Sequence, residues 1–163
     1  MLQHDKNSRR PMTENKSDND IIQDVIRLVD EGMKVTMKVR GRSMMPFIVG
    51  DRDSLVLEKP GHVREGDIVL AWCEPGHYVV HRIVRIDGDR VTLMGDGNLA
   101  ATEACRMGDI KAKATHVIKG DSGRQHSLYS LPRRWAATMW RWAKPIRRYL
   151  LYVFRRCIKT NAT

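Results

Sequence analysis

The sequence predicts a mainly β protein, a small coiled antiparallel sheet or partial barrel with a helix before it and an amphipathic helix after it. Three observations carry this. Six short runs are rich in apolar residues and separated by Gly, Pro and Asp turns, which suits strands better than helices. One early stretch repeats its apolar residues at steps of three and four, the period of a helix covering a core. Charge and aromatic content then change abruptly near Gly120-Asp121-Ser122-Gly123, which marks off a tail.

In chain order, residues 1–18 are polar, mixed in charge and without an apolar cluster. They are expected to be disordered, and are neither a signal peptide nor a membrane span. Ser17 or Asp18 can cap a helix from about Asn19 to Glu31, where Ile21, Val25 and Leu28 share a face and Gly32 suits the C-terminal end. Val35, Met37 and Val39 alternate with Lys34, Thr36, Lys38 and Arg40, a half-buried strand that delivers the chain to Gly41. Gly50-Asp51 is a turn, Ser54 to Glu58 a strand, and Lys59-Pro60-Gly61 a break. Further strands are expected at Ile68 to Trp72, His77 to Ile86 and Arg90 to Met94. The Asp87-Gly88 turn makes the last two a hairpin. Ile110 to Lys119 is the sixth strand. The domains are therefore 1–18, a β-rich domain over 19–120, and a basic tail over 121–163.

A chain of 163 residues supports one ordinary domain with tails. Cys73, Cys105 and Cys157 are odd in number and widely spaced, so neither a disulfide framework nor a metal site is suggested, and reduced thiols in the cytosol are expected. No cofactor is expected. The net charge of +10 is not spread evenly. Ten of the 29 Lys and Arg, and none of the 19 Asp and Glu, lie in residues 124–163, so the preceding chain is neutral.

The stretch Gly41-Arg42-Ser43-Met44-Met45-Pro46-Phe47 is the candidate seat of chemistry. Pro46 disfavours a helix at Met44 and Met45, which leaves Ser43 on an exposed turn after a strand. A serine hydroxyl becomes a nucleophile when a base takes its proton and backbone donors receive the oxyanion. His81 interrupts an apolar strand and can be such a base. Asp96 stands in the turn Gly95-Asp96-Gly97-Asn98 and can orient an imidazole. Taken singly, each also reads as ordinary structure: a turn serine, a satisfied strand histidine, a turn carboxylate.

Together these segments resemble the serine peptidase superfamily that includes type I signal peptidases and self-cleaving repressors. Gly41-x-Ser43-Met44-x-Pro46 with Gly50-Asp51 resembles its nucleophile motif, and Gly66-Asp67-Ile68-Val69 the strand start that follows. Val80-His81-Arg82-Ile83-Val84 falls where most bacterial members carry Lys-Arg, and its histidine resembles the endoplasmic-reticulum-type and spore-former signal peptidases, which use Ser and His. Gly95-Asp96-Gly97-Asn98 resembles their Gly-Asp-Asn-Asn turn, whose aspartate is tied to catalysis. The resemblance implies a β-rich fold with catalytic Ser43, His81 and Asp96, and an oxyanion hole from the backbone N–H groups of Ser43 and Met44. Gly41 stands where many signal peptidases have a serine, as in repressor-type members. No Ala-Gly or Cys-Gly precedes Ser43 as a self-cleavage site, and neither a helix-turn-helix to read DNA nor the N-terminal membrane anchor of a signal peptidase is expected.

The expected function is a serine endopeptidase that cleaves a peptide or protein precursor through an acyl-enzyme. With a histidine base of ordinary pKa, about 6.5, its activity should rise through roughly pH 6 to 7. The alternative is a non-catalytic peptide-binding or membrane-tethered regulatory module of the same fold.

Between Pro132 and Ile158, Trp135, Met139, Trp142, Ile146, Leu150, Val153 and Cys157 recur at steps of three and four. Trp135, Trp142, Arg147, Arg148, Arg155 and Arg156 suit a helix lying on an anionic membrane surface. The same stripe can instead dock on the β core, and nucleic acid is a weaker third partner. The expected location is the cytoplasm, peripherally on the membrane.

Overall fold

The computed structural model describes residues 17–129, 139 and 148–153. The chain is mainly β. Helix α1 (Asp18–Asp30) is followed by β1 (Val35–Lys38), β2 (Ser54–Glu58), β3 (Ile68–Cys73), β4 (His77–Asp87), β5 (Arg90–Met94), β6 (Glu103–Arg106), a single 3-10 turn (Met107–Asp109), β7 (Ile110–Ile118) and β8 (Gln125–Ser127). Residues 148–153 are helical.

Ser17 caps α1. Its hydroxyl accepts from the Asp20 N–H, and the Asp20 carboxylate accepts from the Ser17 N–H. This reciprocal arrangement satisfies two donors that a helix start otherwise leaves open. Val25 and Val29 are buried beneath the helix, which covers the surface its spacing calls for.

The eight strands form one antiparallel sheet in the order β1-β2-β7-β3-β4-β5-β6, with β8 added to β7 beyond β3. Register shifts between Val56 and Leu57, Leu70 and Ala71, and Ile83 and Arg85 interrupt three pairings. Such bulges bend and twist a strand, and the sheet curls into a half-barrel. At the far side of the curl the Glu74 N–H donates to the Ala104 carbonyl at 3.3 Å, so β6 approaches the end of β3.

The curl creates two cores. Ile68 and Leu70 point from β3 into the first, with Val25, Val29, Leu55, Leu57 and Val117. Val69, Ala71 and Cys73 point from the other face into the second, with Ile83, Val91, Leu93 and Cys105. A strand covered on both faces is apolar throughout, which is why Ile68 to Cys73 does not alternate. Cys73 and Cys105 are both free and buried. The hydrogen bond that the Cys73 thiol donates to Cys105, and then burial, push it well above its usual range, so it is no thiolate nucleophile.

Pairing to the sheet continues past residue 120. β8 pairs with β7, Leu128 packs on the first core, and the Tyr129 hydroxyl donates to the Ala114 carbonyl at 3.3 Å. Gly120 itself is part of the fold: a Cβ there would lie 1.9 Å from the Arg52 carbonyl oxygen. β6 and β8 were not expected from the sequence, having only four and three residues. The expected disorder of residues 1–16 lies outside the described residues, as do Trp135, Trp142, Arg147, Arg155, Arg156 and Cys157.

Candidate active site

Ser43 stands in a loop between β1 and β2 that is closed on itself by backbone bonds. Asp51 N–H donates to the Val39 carbonyl at 2.7 Å, and the Val39 N–H to the Asp53 carbonyl at 3.1 Å. Gly41 has a φ of +80°, which favours glycine. Gly50 lies against it so closely that a Cβ would sit 1.8 Å from the Gly41 carbonyl oxygen. Met44 and Ile48, buried in the first core, anchor the far side of the turn. The Ile48 N–H donates to the Met44 carbonyl at 3.1 Å, closing a turn across the cis Met45-Pro46 bond, and no helix forms there.

Asp53 pins the base of this loop. It is fully buried and receives the Val49 N–H at 2.9 Å, Arg52 Nε at 2.8 Å and Lys119 Nζ at 2.7 Å. Burial opposes its ionisation, but the Arg52, Lys119 and Val49 donors outweigh it and bring its pKa down to about 2.

The turn after β5 packs directly on the nucleophile segment. Gly97 N–H donates to the Ser43 carbonyl at 2.6 Å. A Cβ on Gly95 would lie 2.5 Å from that same carbonyl oxygen, and one on Gly97 would lie 2.7 Å from the Arg42 carbonyl oxygen. The two glycines flanking Asp96 are there for close backbone approach.

Asp96 itself is taken up by Arg82. Arg82 Nε donates to Oδ1 at 2.8 Å and Nη2 to Oδ2 at 2.6 Å, while Nη1 reaches the Gly66 carbonyl at 2.8 Å. Both side chains are buried. A planar guanidinium matches a carboxylate at two points, so this pair ties β4 to the turn that carries Asp96. The carboxylate at His81 is a different one. His81 Nδ1 lies 2.7 Å from Glu103 Oε2, and His77 Nε2 lies 3.3 Å from Glu103 Oε1. Asp96, from which an orienting role was expected, has both of its oxygens on Arg82.

Ser43 and His81 line one groove of about 410 Å³, whose walls include Ile21, Ile22 and Val25 of α1, Met37 of β1, Leu70 of β3 and Tyr78 of β4. α1 is tied across it. Gln23 Nε2 donates to the Tyr78 hydroxyl at 3.0 Å, and Asp18 pairs with Arg40. Among the described residues no hydrogen bond joins the Ser43 hydroxyl to His81, and neither the Ser43 N–H nor the Met44 N–H has an acceptor.

Lys38 also lines the groove, whereas Lys113 lies outside its lining and is no rival base. Lys113 lies 2.9 Å from Asp67 and over the Tyr129 ring. Burial lowers its pKa, but Asp67 and Tyr129 more than restore it and hold the ammonium form. Among the described residues no group of three or more His, Cys, Asp or Glu is placed to hold a metal ion.

Sequence reasoning missed Glu103. It opens a four-residue strand with no alternation long enough to read, and the one available signal was a lone acidic residue after an Ala-Thr step.

Curated proteins offer no match to this chain. The family comparison does: residues 9–117 match the family model described as Peptidase S24-like, the span that carries Ser43, His81, Asp96 and Glu103, and the chain belongs to that family.

Proposed function

We propose that this chain is a serine endopeptidase in which Ser43 attacks a peptide carbonyl and His81 takes its proton. Family membership suggests serine peptidase or self-cleaving repressor-type activity. The observation that carries the finer reading is that Ser43 and His81 line the same groove. As Ser43 Oγ bonds to the carbonyl carbon, its proton passes to His81, and the unpartnered N–H groups of Ser43 and Met44 receive the oxyanion. His81 then gives the proton to the departing amine. A water molecule, deprotonated by His81, breaks the acyl-enzyme and restores Ser43. The missing Ser43 to His81 hydrogen bond is of the kind that tightens only when substrate closes the site. Apolar side chains on both walls suit an extended segment of a peptide or protein precursor.

The same reading puts the enzyme on an anionic membrane surface through its tail. Met139, Leu150 and Val153 of the expected apolar stripe are exposed, as are Tyr149 and Tyr152, while Leu151 is buried. Arg148 is exposed among them. An apolar stripe open to solvent beside basic residues is what an interfacial helix needs. Among the described residues no helix is long and apolar enough to cross a membrane.

The test is labelling by a peptide-based acylating probe, read by intact mass on the folded protein and on Ser43→Ala and His81→Ala. An adduct lost in both variants supports the peptidase. No adduct on the folded wild type favours a peptide-binding module without catalysis.

A further inference from the structure

We propose that Glu103 is the positioning residue of the histidine base: it fixes the tautomer and orientation of His81, and His77 holds it in place. The inference rests on the reading of His81 as the base of Ser43.

The geometry comes first. His81 sits on β4 with its side chain 7 % exposed, and its Nδ1 faces Glu103 Oε2 at 2.7 Å. An ionised carboxylate only accepts hydrogen bonds, so Nδ1 must carry the proton that is shared. In the neutral ring this leaves the Nε2 lone pair as the acceptor, the nitrogen free to take a proton from a hydroxyl. Without a carboxylate at Nδ1 the ring has no reason to keep that tautomer, and a ring protonated on Nε2 cannot act as base there.

Glu103 is held for this task. Its side chain is a quarter exposed, and its second oxygen, Oε1, lies 3.3 Å from His77 Nε2. His77 and His81 are four residues apart on one strand and so share a face, which lets a single carboxylate bridge the two rings. The backbone fixes its origin: the Ala104 carbonyl next to it accepts from Glu74 in the β3 to β4 turn. Asp18, which lines the groove, pairs with Arg40, and Asp96 in the turn behind Ser43 is engaged by Arg82. Glu103 therefore fills a role that the turn motif assigns elsewhere.

The experiment uses the full chain labelled with 15N-histidine, observed at about pH 8, above the usual histidine titration range. The His81 resonances are identified by their loss in His81→Gln. The wild type should show His81 protonated on Nδ1. In Glu103→Gln and Glu103→Ala the ring should move to the Nε2 form or to a mixture, and Glu103→Asp should restore part of the Nδ1 form. The other histidine signals report whether each variant is folded. Acylation of Ser43 by the peptide probe should slow about 100-fold in Glu103→Ala with probe affinity unchanged, the low end of what a positioned base contributes. A smaller loss is expected in His77→Gln. An Nδ1 tautomer that persists in folded Glu103→Ala overturns the proposal. Because the tautomer is read without substrate, a wild type that fails to label sinks the peptidase reading alone and leaves this one to be decided.

Discussion

The Ser43 carbonyl accepts the Gly97 N–H at 2.6 Å, so the candidate nucleophile is backed by a turn that lies 54 residues further along the chain. Gly97→Ala would place a Cβ 2.7 Å from the Arg42 carbonyl oxygen, and Gly95→Ala one at 2.5 Å from that of Ser43. Neither glycine has a positive φ, so the effect is displacement rather than backbone strain. A displacement of about 1 Å in a reacting group costs roughly 100-fold in rate. Labelling of Ser43 should slow by that order in either variant while the circular dichroism spectrum stays that of the wild type.

The Arg82 and Asp96 pair predicts a stability effect of another kind. Removing one partner strands a buried charge, which costs about 3 to 5 kcal/mol. Asp96→Asn should lower the denaturation midpoint accordingly and leave the tautomer of His81 as it is in the wild type. A His81 tautomer that changes in folded Asp96→Asn would return the orienting role to Asp96.

Asp53 predicts acid sensitivity. Its folded pKa of about 2 lies below the ordinary 3.8. The unfolded chain therefore binds a proton first as pH falls, and the stability Asp53 contributes, complete above about pH 4, is lost on the way down to its folded pKa. The gap between the folded and ordinary values corresponds to a full loss of about 2 kcal/mol. Asp53→Asn should be less stable at neutral pH and flatter between pH 4 and 2 in denaturant titrations.

The tail predicts separable behaviour. Deleting Leu131 to Thr163 should abolish binding to anionic liposomes and spare cleavage or labelling with a soluble peptide probe. Each basic residue near an anionic surface contributes about 1 kcal/mol, so binding by the full chain should weaken as salt rises. Liposome binding that survives the deletion removes the membrane role.

Much of the fold was legible in the sequence. The spans Ser54–Glu58 and Arg90–Met94 match the observed strands, and the other four expected strands differ by one or two residues at their ends. Their alternation and their Gly, Pro and Asp boundaries are local properties. β6 and β8 were not legible, because three or four residues are too few to display a period and their pairing partners decide them.

What the sequence determined by itself is therefore the local material: the strand set, the cap at Ser17, and the glycine-flanked segments that carry Ser43 and Asp96. Turn chemistry and side-chain period act over a few residues, so they can be read without a structure. The partner of His81 was decided only by the tertiary structure. Glu103 lies 22 residues away on a strand that does not pair with β4, and only the curl of the sheet brings β6 back toward β3 and β4. Asp96, the carboxylate the motif points to, was claimed by Arg82 because a guanidinium one residue along β4 meets both of its oxygens at once.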